Sequence, residues 1–194
     1  MTTREQRENK MGKPLLLVID MQRGLFEGEP PRHDADGVIA RINALSELVR
    51  VRGGQVVFVR HTDAADGLAA DSEAWQVLPS LNQASADIYV EKTACDAFLN
   101  TPLKVVLDAA APTQLILCGC ATDFCVDTTV RAAASLGYPV CVASDAHTTR
   151  DRPHLAASMI VHHHNYMWQN LIVPGNPVRV ATTAALCTSL SCRS

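Results

Sequence analysis

Leu15-Leu16-Leu17-Val18-Ile19 runs straight into Asp20, and the reading of that stretch decides the fold. Five consecutive apolar residues with no polar residue alternating among them suit a strand covered on both faces, as in a parallel sheet flanked by helices. Downstream the period changes: Val38, Ile39, Ile42, Leu45, Leu48 and Val49 recur at helical spacing across 36–52 and stop at Gly53-Gly54, a helix C-terminal signal. Gln55-Val56-Val57-Phe58-Val59 then reads as a second strand.

The alternation continues along the chain. Residues 87–91 form a short third strand, 101–110 an amphipathic helix, and 113–118 a fourth apolar strand closed by Gly119. A helix over 124–136 ends at Gly137, a fifth strand covers 138–143, a helix 153–163, a short last strand falls within 171–180, and 182–190 suits a terminal helix. Strands separated by helices of ten or so residues imply βαβ units with right-handed crossovers. The expected fold is therefore α/β, a three-layer Rossmann-like domain with a mostly parallel six-stranded sheet. One domain spans residues 1–194, with 1–12 as a flexible N-terminal segment and 63–72 as a surface loop rather than a boundary.

Composition narrows the function. At 194 residues a single domain buries roughly 70% of the surface its unfolded chain exposes, so no staple is needed. A net charge of −3 with 19% charged residues leaves neither a basic footprint for nucleic acid nor an acidic tail. Residues 1–10 are polar, no apolar run is long enough for a membrane span, and no secretory signal is visible. Seven cysteines without a CxxC pair read as reduced thiols. These features predict a cytoplasmic protein acting on a small molecule, with no nucleic-acid or membrane partner.

In open α/β sheets ligands bind beyond the carboxyl ends of the strands. Asp20 ends strand one, Lys92 follows strand three, and Cys125 opens the helix after strand four, so all three fall on one edge. Gly119-Cys120-Ala121-Thr122-Asp123-Phe124-Cys125 is a strand-to-helix turn with Thr122 or Asp123 as a suitable N-cap. A thiol in the first helical turn feels the helix dipole and exposed N–H groups, which lower its pKa and can hold an oxyanion. Cys125 is then either a nucleophile or a buried structural cysteine, and position alone leaves both open. Asp20 is a general base or a capping carboxylate; Lys92 alone reads as a loop lysine. The Cys118-Gly119-Cys120 pair suits core better than metal.

Val18-Ile19-Asp20-Met21-Gln22, Glu91-Lys92-Thr93, Gly119 through Val126, and Ser144-Asp145-Ala146-His147-Thr148-Thr149 together resemble the isochorismatase-like cysteine hydrolases, a family that includes nicotinamidases and N-carbamoylsarcosine amidohydrolases. The resemblance covers nearly the whole chain. It implies a catalytic set of Asp20, Lys92 and Cys125, a cis peptide between Cys120 and Ala121, and an oxyanion hole from the N–H groups of Ala121 and Cys125. It also implies a homo-oligomer, and hydrolysis of a small amide, ureide or carbamoyl compound through a thioester, with no cofactor. Isochorismatase-type vinyl-ether hydrolysis, or a catalytically silent binding domain on the same fold, are the alternatives.

Further candidates line up around that set. Gln22, Phe26, His61, Trp75, Cys120 and His147 are the candidate substrate-binding residues, with Phe98 another pocket aromatic. Where metal-binding relatives carry Asp-x-His and more histidines, this chain reads Arg60-His61-Thr62-Asp63, which argues against a metal. His162-His163-His164 cannot all face one ion, because consecutive helical residues point about 100° apart. A Cys-His pair using His147 or His154 as base is the rival chemistry.

Overall fold

The computed structural model describes residues 13–192; the expectation of a flexible segment over 1–12 falls outside them. Strand β1 (Pro14–Ile19) is buried at every position. It lies between β2 (Gln55–His61) and β4 (Gln114–Cys120), parallel to both, with Leu17 opposite Val57 on one side and Leu117 on the other. Strands β3 (Ile88–Lys92), β5 (Val140–Thr148) and β6 (Arg179–Ala181) complete a six-stranded sheet in the order β3-β2-β1-β4-β5-β6, parallel throughout. The α/β class and sheet expected from the apolar runs are both present.

Strand geometry sends successive side chains to opposite faces, and the helices take one face each. Leu15, Leu17, Ile19, Leu115 and Leu117 pack with Leu103 and Leu107 of α3 (Leu103–Ala110), Val130 and Ala133 of α4 (Asp127–Ser135), and Trp168 of α5 (Ala157–Gln169). Leu16, Val18, Ile116, Cys118 and Cys120 pack instead against Val38, Ile42, Leu45 and Val49 of α2 (Ala35–Val51) and Leu186 and Leu190 of α6 (Thr183–Ser191). A single turn, α1 (Arg23–Phe26), follows β1. Each wholly buried Leu or Ile contributes about 1.5–3 kcal/mol, so both faces of β1 hold the two halves of the core together.

Four elements depart from the sequence reading, each for a local reason. Strand β5 runs on to Thr148 rather than stopping near residue 143, because its register against β4 shifts between Leu117 and Gly119 and carries the polar Asp145 and His147 into the sheet. Helix α5 begins at Ala157, not residue 153, where the Asp151 carboxylate accepts the Ala157 N–H at 2.7 Å. It continues to Gln169 because Trp168 is buried in the core. The helix expected over 124–136 is a π-helical turn, Thr122–Val126, leading into α4. Gly119 does not close β4: its φ is +116°, and a Cβ there would lie 2.1 Å from the Ile19 carbonyl oxygen.

Connections run outward from the middle in both directions, so the strand order reverses between β1 and β4. The crevice beyond their carboxyl ends is where this architecture places ligands. Among the described residues no helix is long and apolar enough to cross a membrane.

Candidate active site

Asp20 follows β1 directly and sits in the left-handed region, φ 48°, a conformation that costs a non-glycine residue about 1 kcal/mol. Its N–H donates to the Val59 carbonyl at 2.9 Å, which fixes the turn at the strand end. The residue is 1% exposed. Lys92 is the last residue of β3, two strands away, and pairs in register with His61 at the end of β2. Its side chain spans that distance, and Lys92 is itself 2% exposed.

The Lys92 ammonium has three hydrogens and three partners. Nζ lies 2.6 Å from Asp20 Oδ2, 3.2 Å from His61 Nδ1 and 3.3 Å from Cys125 Sγ. It therefore ties the carboxylate of the first strand to the thiol of the π-helical turn after the fourth. Asp20 Oδ1 is buried with no hydrogen-bond partner, although the Cys125 thiol is near enough to act on the carboxyl. Cys125 itself is half-buried, packed at the edge of the core cluster.

Burial pushes the Asp20 carboxyl up, and Lys92 pulls it partly back. Burial works against the Lys92 ammonium, but Asp20 and Cys125 more than offset it, and its pKa is raised. His61 is lowered, first by burial and then by Lys92, so its ring stays neutral and Nδ1 accepts from the ammonium. The Cys125 thiol is raised, chiefly by burial and next by the Asp20 charge. This departs from the expectation that a helix start lowers it: desolvation and the neighbouring carboxylate outweigh Lys92.

Most of the other candidates hold the frame. Gln22 is fully buried: Nε2 donates to the carbonyls of His61 and Trp75, both at 2.9 Å, and Oε1 accepts the His61 N–H at 2.7 Å. It braces His61, and through it Lys92, rather than facing a ligand. Trp75 is 2% exposed; Nε1 donates to Thr62 Oγ1, and the Arg60 guanidinium lies 3.6 Å from its ring. Cys120 is buried on the opposite face, its Sγ donating to the Asp20 carbonyl at 3.1 Å, and burial raises its pKa to about 11. The peptide bond between Cys120 and Ala121 is cis.

Neither Thr122 nor Asp123 caps the turn, as the sequence suggested. Thr122 Oγ1 bonds His147 Nδ1 at 2.9 Å, and Asp123 pairs with Arg152 and accepts the Thr149 hydroxyl at 2.6 Å. His147 has both ring nitrogens engaged, the second by Asn165 Oδ1 at 3.0 Å, and burial lowers its pKa to about 4. That removes it as a base for Cys125 and as a ligand contact; His154 is exposed. Phe26 is half-buried beneath the Arg32 guanidinium, and Phe98 stacks on Tyr138 at 5.9 Å. His162 and His163 are exposed, and His164 Nδ1 bonds the Ile160 carbonyl. Among the described residues no three His, Cys, Asp or Glu side chains group as a metal site would need.

Sequence reasoning missed three contributors. Asn165 and Arg152 act through residues far away in the chain, and nothing in local spacing marks them. Cys95 was one of seven thiols; the Ala97 N–H and the Cys95 carbonyl both bond Thr129 Oγ1, one turn beyond Cys125, and Cys95 acts electrostatically on the Cys125 thiol.

Known proteins are similar to this chain in sequence and fold. The family model described as the isochorismatase domain matches residues 14–169. Streptothricin hydrolase of Streptomyces noursei is 33% identical over 139 residues, 71% of this chain and 50% of that protein. The chain thus spans about half of that relative's length. The uncharacterized isochorismatase family protein YecD of Escherichia coli O157:H7 is 33% identical over 147 residues, 68% of this chain and 77% of that protein. The crystal structure of an isochorismatase from Pseudomonas putida KT2440 superposes with a TM-score of 0.79 at 30% identity, covering 89% of each chain.

Proposed function

Because this chain belongs to the isochorismatase family, we propose that it is a cysteine hydrolase that cleaves the C–N bond of a small amide, ureide or carbamoyl compound through a thioester. The observation that carries this reading is the meeting of three side chains at the switch point of the sheet: the Lys92 ammonium bridges Asp20 and Cys125, and Asp20 Oδ1 has no other partner. An unpartnered buried acceptor beside a thiol suits a general base.

Asp20 takes the Cys125 proton as the sulfur attacks the carbonyl carbon. A raised thiol pKa means that the proton leaves during attack and not before it, while Lys92 holds the growing negative charge. The N–H groups of Ala121 and Cys125 receive the oxyanion. Asp20 then gives the proton to the departing nitrogen, the C–N bond breaks, and a thioester remains. Asp20 deprotonates a water, which attacks the thioester; the C–S bond breaks and the thiolate recovers its proton. The thiol favours this chemistry over vinyl-ether hydrolysis, which needs protonation of carbon and no sulfur nucleophile. Exposed Met159 and Tyr166 on α5, with Ile172 beyond it, support assembly into a homo-oligomer.

The test is a panel of small amides, ureides and carbamoyl compounds assayed for ammonia or amine release, with Cys125→Ala beside the wild type. Release that vanishes in Cys125→Ala, together with stoichiometric iodoacetamide labelling of Cys125, supports the reading. Release that survives the substitution refutes it.

A further inference from the structure

A cavity of about 190 Å³ lies at the amino ends of β4, β5 and β6, the edge of the sheet away from Cys125. It has room for one small organic molecule. Gln114, Cys141 and Arg179 line it, together with Pro139, Val140 and Pro177. The register explains why the first three meet. Cys141 pairs with Ile116 of β4 on one side and with Arg179 of β6 on the other. Residues two apart on a strand share a face, so Gln114 stands on the same side of the sheet as Ile116, the side covered by α2 and α6.

Two of these side chains carry donors that nothing uses. Gln114 is 6% exposed, and its Nε2 is buried without a hydrogen-bond partner. The Gln114 amide and the Arg179 guanidinium are both near enough to act on the buried Cys141 thiol. The two ends of an amide have the same shape. Turned over, Gln114 sets Oε1 against the Cys141 S–H and Nε2 into the cavity, which gives the buried end a partner and offers the donors to a ligand. Arg179 is exposed and forms no ion pair among the described residues, and no carboxylate is among the residues that line the cavity. Donors without acceptors at one side, and prolines and a valine at the other, match the head and tail of a short carboxylic acid.

We infer that Gln114 and Arg179 form a binding site for a short-chain carboxylate, separate from the thiol centre. The planar guanidinium presents parallel donors that match the two carboxylate oxygens, the Gln114 amide adds another, and the apolar tail lies against Pro139, Val140 and Pro177. A ligand so held ties β4 to β6 across β5. Strand β4 separates the two sites: Gln114 opens it and Cys120 ends it, about 20 Å apart at about 3.3 Å for each residue. The site stands on this geometry alone and does not depend on the hydrolase reading.

The experiment titrates the protein with butyrate, with butyramide as its neutral counterpart and with inorganic phosphate. Two-dimensional ¹⁵N NMR follows the side-chain amide of Gln114, whose signal is assigned by its absence from Gln114→Leu. The expected result is that butyrate moves this signal with a half-saturating concentration lower than that of butyramide by about tenfold or more, the worth of one hydrogen bond to a charged group. In Arg179→Met the signal should remain, in a spectrum as dispersed as that of wild type, and the preference for butyrate should vanish. Equal responses of wild type to butyrate and butyramide overturn the proposal whether or not a variant folds. So does butyrate that leaves the Gln114 signal unmoved, which places the acid elsewhere or nowhere. Phosphate that half-saturates at or below the butyrate concentration overturns the assignment to a carboxylate with an apolar tail.

Discussion

Asp20 follows β1 and Lys92 ends β3, with β2 between them, yet their side chains meet at 2.6 Å with almost no exposure of either. A buried ion pair is held by its surroundings as much as by its charges, because each partner has lost its water. Removing one partner leaves the other unpaired and shifts every titration nearby.

The signs at Cys125 follow from that. Asp20 raises the thiol pKa and Lys92 lowers it. In Asp20→Asn, labelling of Cys125 by iodoacetamide near neutral pH should be faster than in wild type, by about tenfold for each unit the thiol pKa falls, while amide hydrolysis is lost. Lys92→Met should label more slowly and lose about 3–5 kcal/mol of stability as Asp20 is left buried alone. Labelling rates against pH check both, and an unchanged rate in Asp20→Asn contradicts the proton relay.

His147 sets an acid limit on the fold. Its folded pKa of about 4 lies below the ordinary histidine value of 6.5, so the unfolded chain binds the extra proton first. Stability contributed by the neutral ring is complete above pH 6.5 and drains away as pH falls toward 4, by about 3 kcal/mol in all. Denaturant unfolding across this window should show that slope in wild type and a shallower one in His147→Gln.

Gly119→Ala puts a methyl group 2.1 Å from the Ile19 carbonyl at a φ of +116°. Backbone must move for it to fit. The expected loss is about 3 kcal/mol or more, read from the denaturation midpoint, with Gly137→Ala as the comparison because a Cβ there meets nothing.

Gln22→Ala removes the three bonds that brace His61 and Trp75. Buried carbonyls and an N–H left unpaired should cost about 1–3 kcal/mol for each group that finds no substitute. Cys125 labelling should also change, because His61 no longer holds Lys92 in place; a normal rate would mean that Lys92 is fixed by Asp20 alone.

Much of this was legible in the chain. The apolar run ending at Asp20 announces β1, the glycines after residues 52 and 136 mark helix ends, and the rule that ligands lie beyond strand ends places Asp20, Lys92 and Cys125 on one edge. What the sequence could not convey is depth. His147 and Cys120 look like lining residues because they flank the right turns, but the register shift in β5 and the two-faced alternation of β4 carry them into the interior. Gln22 reads as a ligand contact for the same reason.

Trp75 and Trp168 are the only tryptophans in the chain, both buried, one stacked against Arg60 and the other edge-on to His147 at 5.0 Å. They stand on opposite flanks of the central crevice, one near the end of β2 and one behind β5. The molecule thus carries two optical reporters with different sensitivities: Trp168 should dim as the neighbouring imidazole gains its proton, while Trp75 answers to movement of the β2 end. Their emission, resolved by lifetime, would separate acid loosening of one flank from disturbance of the other without any attached dye.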